Sequence, residues 1–333
     1  MLVGELGEAA LLERMRQVFA PASTGVLVGI GDDAAVTVPS VGNEVLTTDF
    51  LLEGVHFRKE WLTPADLGRK SLAVNLSDLA AMGAAPLYAI VSLACPRETP
   101  VDYIDEICQG IAAFASAARI SVIGGNTARS PGPLMVGISA CGSVPAGMAV
   151  LRSGAKAGDR ILVTGYLGSA AAGLWLLKNE KETDRFPELI RAFRTPEARL
   201  AAGEVARKLG ASAMTDISDG LASDLRHICM QSGAGARIEM KKLPVHPQLK
   251  LAAGQHGLNA KELALRGGED YELLIIADRE KSNGVAGEIA RSAGVPVVEI
   301  GEITPAASIF TVDADGTERA VEVLGFDHFG GNG

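Results

Sequence analysis

The sequence predicts an α/β protein of two domains, and three observations support that fold class. The chain has 333 residues, which is enough for two domains that each bury a hydrophobic core. Its 47% hydrophobic content and 39 glycines are typical of α/β proteins, in which sharp turns bring the backbone close to a ligand. A polar, glycine-rich stretch at 152–159 separates two halves with different patterns of elements. We therefore predict an N-terminal domain over residues 1–147 and a C-terminal domain over residues 148–333.

The N-terminal half shows helices alternating with the strands of a mixed sheet. A helix is predicted from Thr63 to Met82, because Thr63 is a capping residue, Pro64 suits the first turn, and Asp66 faces the positive end of the helix dipole. The other elements are predicted as helices at 5–20 and 100–118 and as strands at 26–28, 35–38, 44–50, 87–93, 120–123 and 134–144. Since strands outnumber helices, we expect a mixed sheet with helices on one face, whose edge strands could pair across a dimer.

The C-terminal half has a different order of elements. Strands are predicted at 160–164, 297–300 and 309–312 and helices at 168–178, 196–209 and 280–293, with residues 180–194 as a charged connection. A short strand ends at Asp216, and a helix that reaches Gln231 begins near Asp219. This pattern predicts an α/β domain.

Composition excludes several classes of partner. The net charge is −9, from 31 basic and 40 acidic residues, and there is no Lys/Arg-rich run, which disfavours nucleic acid and anionic membranes. The four cysteines form no C-x-x-C pair, so neither a zinc site nor a disulfide framework is indicated. No basic leader with an apolar run and no span of 18 apolar residues is present. We expect a soluble, cytoplasmic protein.

Two adjacent acids, Asp32 and Asp33, stand in a glycine-rich turn between two predicted strands. Their repulsion can be relieved by water, by basic neighbours or by a divalent cation, and a plain turn of Asp and Gly is the alternative interpretation. A third acid, Asp49, ends a strand that also carries Thr47 and Thr48. These residues are candidates for a metal site.

Three further acids, Asp78, Asp216 and Asp219, lie on a predicted helix face or near the end of a predicted strand. Asp78 follows Asn75 by three residues on an otherwise apolar helix, and a buried charge there needs a partner. Asp216 ends a strand, whereas Asp219 could simply cap a helix. Oxygen-only ligand sets suit Mg²⁺, which bridges to substrate phosphates. Because neither a phosphate-binding loop G-x-x-x-x-G-K-[ST] nor a G-x-G-x-x-G turn is present, the acids indicate phosphates carried by metal ions.

Eight segments between Gly29 and Phe329 together resemble one family. They are GIGDDAAV, TTDFLLEGVHF, KSLAVNLSDLAAMGA, GGNTARS, LRSGAKAGD, DISDGLASDL, GGEDYELL and GFDHF. The chain resembles the thiamine-monophosphate kinase family, in the superfamily of aminoimidazole ribonucleotide synthetase. The acids are common to the superfamily, whereas GGEDYELL and GFDHF are specific to the kinases.

The resemblance implies ATP-dependent phosphorylation of thiamine monophosphate to thiamine diphosphate, with several Mg²⁺ ions between the two phosphate chains. The metal ligands that it implies are Asp33, Thr47, Thr48, Asp49, Asp78, Asp216 and Asp219, with Asn126 at a position where many relatives carry Asp. The implied ATP contacts are Gly125, Asn126, Arg152 and Ser218, and the implied thiamine contacts are His56, Glu269 and Phe326. Asp49, Asp78, Asp216 and Arg152 would act directly in catalysis.

The resemblance also implies a homodimer in which N-terminal strands of two subunits form one barrel, with the active site in the cleft between the domains. A tyrosine that some relatives place against the adenine has no counterpart between residues 104 and 119. Taken alone, His56 would be a surface or capping histidine, Phe326 a core residue and Arg152 a loop charge. The alternative functions are another phosphoryl-transfer enzyme of the superfamily and a non-catalytic nucleotide-binding regulator.

Overall fold

The computed structural model describes residues 1–19, 25–32 and 34–321, which form two compact units. The first unit comprises Met1–Leu79 and Ala84–Gly147, and the second comprises Ala80–Gly83 and the chain from Met148 onward. The predictions for Asp33 and Phe326 lie outside the described residues.

Within the described residues, the first unit contains a two-stranded sheet and a four-stranded sheet. Its elements are α1 (Val3–Leu6), α2 (Glu8–Phe19), β1 (Val26–Val28), β2 (Val36–Thr37), β3 (Asn43–Leu52), α3 (Pro64–Ala81), β4 (Ala85–Cys95), α4 (Val101–Ala118), β5 (Ser121–Arg129) and β6 (Met135–Val144). Strands β1 and β2 pair antiparallel, and the larger sheet has the order β3-β6-β4-β5, with β4 and β5 parallel. The predicted mixed sheet is confirmed.

The four-stranded sheet has one covered and one exposed face. On β6, Val136, Ile138 and Ala140 are buried, whereas the intervening Ser139 is exposed, because successive side chains of a strand point to opposite faces. Leu46, Phe50 and Ile90 on β3 and β4 are large apolar residues that remain exposed.

Helices α3 and α4 approach closely where glycines replace side chains. A Cβ on Gly110 would lie 2.1 Å from the carbonyl oxygen of Ala65, and one on Gly68 would lie 2.0 Å from that of Ile107. The close packing buries α3 along most of its length. Helix α3 begins where the sequence predicts, because the Thr63 hydroxyl accepts a hydrogen bond from the Asp66 amide at 3.1 Å.

In the part of the chain that the structure describes, the second unit contains a seven-stranded sheet of order β13-β12-β9-β11-β7-β10-β8. Its elements are β7 (Arg160–Thr164), α5 (Ser169–Lys178), a 3₁₀ helix (Thr183–Arg185), α6 (Pro187–Arg194), α7 (Leu200–Lys208), β8 (Ala213–Ile217), α8 (Leu221–Ser232), β9 (Gly235–Glu239), α9 (Pro247–His256), α10 (Ala260–Arg266), β10 (Glu272–Ala277), α11 (Ser282–Ala293), β11 (Val297–Thr304), β12 (Ile309–Val312) and β13 (Glu318–Ala320). Strands β9 and β12 are parallel, and the other neighbours are antiparallel.

Several element predictions were wrong. Residues 180–194 are not a plain connection, because they hold a 3₁₀ helix and α6, whose apolar residues are buried. Helix α7 begins at Leu200 rather than at 196, and β5 continues through the GGNT segment as far as Arg129. Strand β9 and helix α9 were not predicted.

The four cysteines are free. No helix within the described ranges is long and apolar enough to cross a membrane.

Candidate functional site

Strand β3 and helix α3 hold the first group of predicted site residues together. The Thr47 hydroxyl donates to the Asp78 carboxylate at 2.5 Å, and the side-chain oxygen of Asn75 accepts the Asp49 amide at 2.9 Å. Asn75 is fully buried and also donates to the carbonyl oxygen of Ser71 at 3.0 Å, so its orientation is fixed. The structure therefore places Asp49 and Asp78 on adjacent elements, and Asn75 holds the backbone of Asp49 against α3, a role that the sequence did not predict.

Thr48 lies on the opposite face of the sheet from Thr47. Its hydroxyl donates to the carbonyl oxygen of Ile138 at 3.2 Å and accepts from the Ser139 hydroxyl at 3.0 Å. Adjacent strand residues point to opposite faces, so the two threonines present oxygen atoms on both sides of β3.

A cavity of about 1770 Å³ lies against the exposed face of this sheet. Its lining includes the 28–32 turn, Thr47, Thr48 and Gly125, together with part of α2. Its volume exceeds the roughly 300–1,000 Å³ of a usual ligand pocket, and its lining also includes the exposed apolar residues Leu46 and Ile90 of that face. Within the first unit, its lining includes residues from three of the segments that resemble the kinases, namely GIGDDAAV, TTDFLLEGVHF and GGNTARS.

Asn126 lies apart from Asp49. The register pairs Asn126 of β5 with Ser92 of β4, and β5 is separated from β3 by two strands, which is roughly 14 Å at the usual strand spacing. Magnesium binds its oxygen ligands at about 2.1 Å, so one ion cannot bridge Asn126 and Asp49 directly. The two residues would serve different ions.

The His56 ring has a defined orientation. Its Nδ1 atom accepts the Leu52 amide at 3.0 Å, and its ring meets Phe50 edge-on at 6.0 Å between centroids. Because Nδ1 accepts a hydrogen bond, the neutral ring carries its hydrogen on Nε2. His56 therefore offers an N–H donor at Nε2 rather than a basic lone pair.

In the second unit, the predicted site residues gather at the end of β8. Asp216 is buried near that end, and Ser218 and Asp219 follow it. Arg152 donates from Nε to the Thr215 hydroxyl at 3.2 Å, which places its guanidinium beside this strand. The Glu269 amide donates to the carbonyl oxygen of Ser218 at 2.8 Å, so the GGEDYELL segment lies directly against the DISDG segment.

Asp224 is a member of this group that sequence reasoning missed. One of its carboxylate oxygens accepts the amides of Ser218 and Asp219, at 3.1 and 3.2 Å. Burial, and then the charges of Asp216 and Asp219, raise the pKa of Asp224 to about 8. The available signal was an acid in the first turn of α8, close to the other acids of the same segment.

The donor chemistry of both groups fits magnesium, which prefers carboxylate and hydroxyl oxygens. Asp216, Asp219 and Asp224 place three carboxyl groups near the end of β8, where a cation would relieve their mutual repulsion. Among the described residues, however, no three His, Cys, Asp or Glu side chains are arranged so that they could hold a metal ion. The ligand set therefore stays a prediction.

Two family models match the chain: the AIR synthase related protein N-terminal domain over residues 31–144 and the corresponding C-terminal domain over residues 156–313. The chain belongs to the AIR synthase related family. A thiamine-monophosphate kinase of Bacillus subtilis (strain 168) is 37% identical over 316 residues, which cover 92% of this chain and 94% of that protein. One of Salmonella typhimurium is 38% identical over 97% of this chain and 98% of that protein. Within the AIR synthase related family, the chain thus belongs with the thiamine-monophosphate kinases, and the resemblance found in the sequence is confirmed.

Solved structures agree with this assignment. The crystal structure of thiamine-monophosphate kinase from Stenotrophomonas maltophilia K279a has a TM-score of 0.82 at 36% identity and covers 92% of this chain and 96% of its own. The structure of AaThiL complexed with AMPPCP and TMP has a TM-score of 0.78 at 34% identity and covers 99% of both chains. The predicted two-domain α/β fold class is confirmed.

Proposed function

We propose that this protein transfers the γ-phosphoryl group of ATP to thiamine monophosphate and so forms thiamine diphosphate. The observation that carries the proposal is the match over nearly the whole chain to thiamine-monophosphate kinases, one of which is solved with AMPPCP and TMP. AMPPCP is an ATP analogue whose bridging carbon blocks transfer.

The chemistry requires alignment and charge neutralisation more than proton transfer. Two unit charges 4 Å apart repel by about 4 kcal/mol at an effective dielectric of 20, and two phosphate chains present several such pairs. The acceptor is a phosphomonoester with a second pKa near 6, so it is mostly dianionic at pH 7 and has no proton to lose. A kinase acting on a hydroxyl needs a residue to receive a proton, whereas this reaction does not.

We assign the cation role to Mg²⁺, which supplies charge neutralisation between the phosphate chains when bound. The described residues that would hold the ions are Thr47, Thr48, Asp49, Asp78 and Asn126 in the first unit and Asp216 and Asp219 in the second, with Asp49 and Asn126 on different ions. The Thr47–Asp78 and Asn75–Asp49 hydrogen bonds fix the positions of the residues on β3 and α3. The Asp224 side chain fixes the loop that carries Ser218 and Asp219.

Five further residues would contact the substrates directly. Arg152, oriented by Thr215, would neutralise phosphate charge as a donor of fixed geometry. His56 would donate from Nε2 to the thiamine substrate and position it, because its Nδ1 is already engaged by the Leu52 amide. Gly125 and Ser218 would contact ATP, and Glu269 would contact the thiamine part.

We also propose a homodimer formed through the exposed face of the four-stranded sheet. Leu46 is 74% exposed and Phe50 is 54% exposed on that face, which also carries the exposed Ile90, and several large exposed apolar residues on one face are typical of an interaction site. Sedimentation should give twice the chain mass of 34.5 kDa. Leu46→Glu should release monomers, whereas the control Leu251→Glu, on the exposed side of α9, should not. A monomeric unmodified protein would contradict the dimer.

We place the reaction in the cytoplasm. ATP is the co-substrate, and free thiols suit a reducing compartment. The net charge of −9 favours small phosphorylated substrates with metal ions over nucleic acid or an anionic membrane as partners.

The test is to incubate the protein with ATP, Mg²⁺ and thiamine monophosphate and to measure thiamine diphosphate and ADP. We expect the two products in equal amounts. Binding of ATP without turnover would instead indicate a regulator, and turnover of ATP with a different acceptor would indicate another enzyme of the family. The Asp78→Asn variant should lose most of the activity, because it removes a predicted metal ligand while keeping the side-chain volume.

A further inference from the structure

The segment that carries Glu269 has a strained backbone. Glu269 has φ +65° and Tyr271 has φ +50°, so two residues with side chains adopt the left-handed conformation on either side of Asp270. Such conformations persist only where the surrounding structure fixes them, and they cluster at functional sites. The groups that fix this segment therefore control where the Glu269 side chain lies.

Backbone hydrogen bonds fix one side of the segment. The Glu269 amide donates to Ser218 and the Tyr271 amide donates to Ile217, at 2.8 and 2.9 Å, and these bonds extend the pairing of β10 with β8. Gly268 allows this close approach, because a Cβ there would lie 2.6 Å from the carbonyl oxygen of Ser218.

Asp270 fixes the other side. Its carboxyl group accepts the Gly168 amide at 2.6 Å through one oxygen and the Ala170 amide at 3.1 Å through the other. These amides open helix α5, which has Gly168 at its N-cap and no side-chain cap within its own segment. Asp270 therefore supplies the cap from about 100 residues away, and the cap ties the strained segment to a rigid helix.

Neighbouring acids of the same segment have different roles. Glu272 is buried in an ion pair with Arg199, so its carboxylate is committed to the fold. Thiamine carries a thiazolium cation and an aminopyrimidine, and a carboxylate at Glu269 is a suitable partner for either. The direction of the Glu269 carboxylate depends on the turn that Asp270 holds in place.

We propose that Asp270 is a positioning residue for the thiamine substrate, acting through Glu269 by anchoring the 268–271 turn to the N-terminus of α5. This role rests on the proposed function, in which Glu269 contacts the thiamine part. Asp270 would not touch the substrate.

The test is a double-mutant cycle on the KM for thiamine monophosphate. Asp270→Asn replaces one acceptor oxygen with an amide group that cannot accept, so one of the two helix amides loses its partner. We expect the KM for thiamine monophosphate to rise about tenfold, with kcat within about threefold and the KM for ATP within about twofold of the unmodified values. In a Glu269→Ala background, the same substitution should change the KM by less than twofold, because the side chain that it positions is absent.

The matched control is Asp278→Asn. Asp278 follows β10 in the same unit and accepts the Glu280 amide at 2.8 Å through one oxygen near the start of α11, so the same substitution changes a turn carboxylate away from Glu269 while one oxygen can still accept that amide. It should leave the KM for thiamine monophosphate unchanged. If Asp270→Asn does not fold, Asp270→Glu keeps both acceptor oxygens and displaces the turn by one methylene group, and it should also raise that KM in a Glu269-dependent way.

Three results would overturn the role. They are an equal rise in KM in both backgrounds, a fall in kcat at constant KM, and a similar KM rise in Asp278→Asn. Absence of thiamine monophosphate turnover by the unmodified protein would instead refute the proposed function, and the role of Asp270 with it. The two failures are therefore distinguishable.

Discussion

Breaking the buried ion pair between Arg199 and Glu272 should strongly destabilise the second unit. Glu272 has a side chain that is 6% exposed and accepts two Arg199 N–H groups at 2.6 and 2.7 Å. Burial acts to lower the pKa of Arg199, but the hydrogen bonds and charge of Glu272, together with those of Glu197, outweigh it and hold that pKa above its ordinary value. The Thr164 hydroxyl donates to the same carboxylate at 2.6 Å.

Arg199→Met breaks this pair, together with a partly exposed contact between Arg199 and Glu197 at 3.2 Å. It keeps much of the side-chain volume but leaves the Glu272 carboxylate buried, with the Thr164 hydroxyl still donating to it. Removing one partner of a buried ion pair costs about 3–5 kcal/mol, because the remaining charge is desolvated without compensation. The additional change Glu272→Met should restore most of that loss, since the buried charge is then gone.

The assay is urea unfolding followed by tryptophan fluorescence. The chain has two tryptophans, so Trp61→Phe leaves Trp175 of α5 as the reporter of the second unit. The control Lys208→Met breaks an exposed pair with Glu204 in the same unit, which should cost about 0–1 kcal/mol. If Arg199→Met costs no more than this control, or if the double variant is as unstable as the single one, the reasoning fails.

Three other predictions follow from the site. His56→Gln should mainly raise the KM for thiamine monophosphate and keep kcat within about tenfold, whereas loss of a general base would lower kcat by about 10²- to 10⁴-fold and contradict a positioning role. Asn126→Asp should lower the Mg²⁺ concentration that gives the half-maximal rate, and no change would place this position outside the metal shell. Burial raises the pKa of Asp270 to about 8, so the folded state retains a proton that the unfolded state loses near pH 4. The contribution of Asp270 to stability should therefore fall as the pH rises from about 4 to about 8. It is measured as the unfolding free energy of the unmodified protein minus that of Asp270→Asn, and this difference should decrease by up to about 1.4 kcal/mol per pH unit over that window. Urea unfolding at pH 5 and pH 8 measures it, and a difference that is constant or rises with pH would contradict it.

Elements with strong local signals could be predicted from the sequence. Helix α3 begins where its Thr-Pro-x-Asp start indicates, because the cap depends on residues within one turn. Helix α6 was missed because its three buried apolar residues are interspersed with arginines and a glutamate on its outer side. Strand β9 was missed because it begins with Gly235 and Ala236, which show no alternation of apolar and polar residues.

The acids of the site were found because charges in apolar or glycine-rich surroundings need an explanation. The residues that align them were missed, since their roles depend on partners that only the fold brings close. The Asn75 side chain accepts the amide of Asp49, which is 26 positions away in the sequence, and Arg199 forms an ion pair with Glu272, which is 73 positions away. Asp224 has local partners, but its cluster with Asp216 and Asp219 depends on how β8 turns into α8.

The measurement that tests the central claim most directly follows the oxygen atoms of the acceptor. Thiamine monophosphate labelled with ¹⁸O at its three non-ester phosphate oxygens is converted with unlabelled ATP, and the products are examined by ³¹P NMR and mass spectrometry. If a phosphate oxygen of thiamine monophosphate attacks the γ-phosphorus of ATP, thiamine diphosphate retains all three labels, one of them in the bridging position, and ADP contains none. Loss of label from the thiamine product, or its appearance in ADP or free phosphate, would contradict direct transfer between the two phosphates.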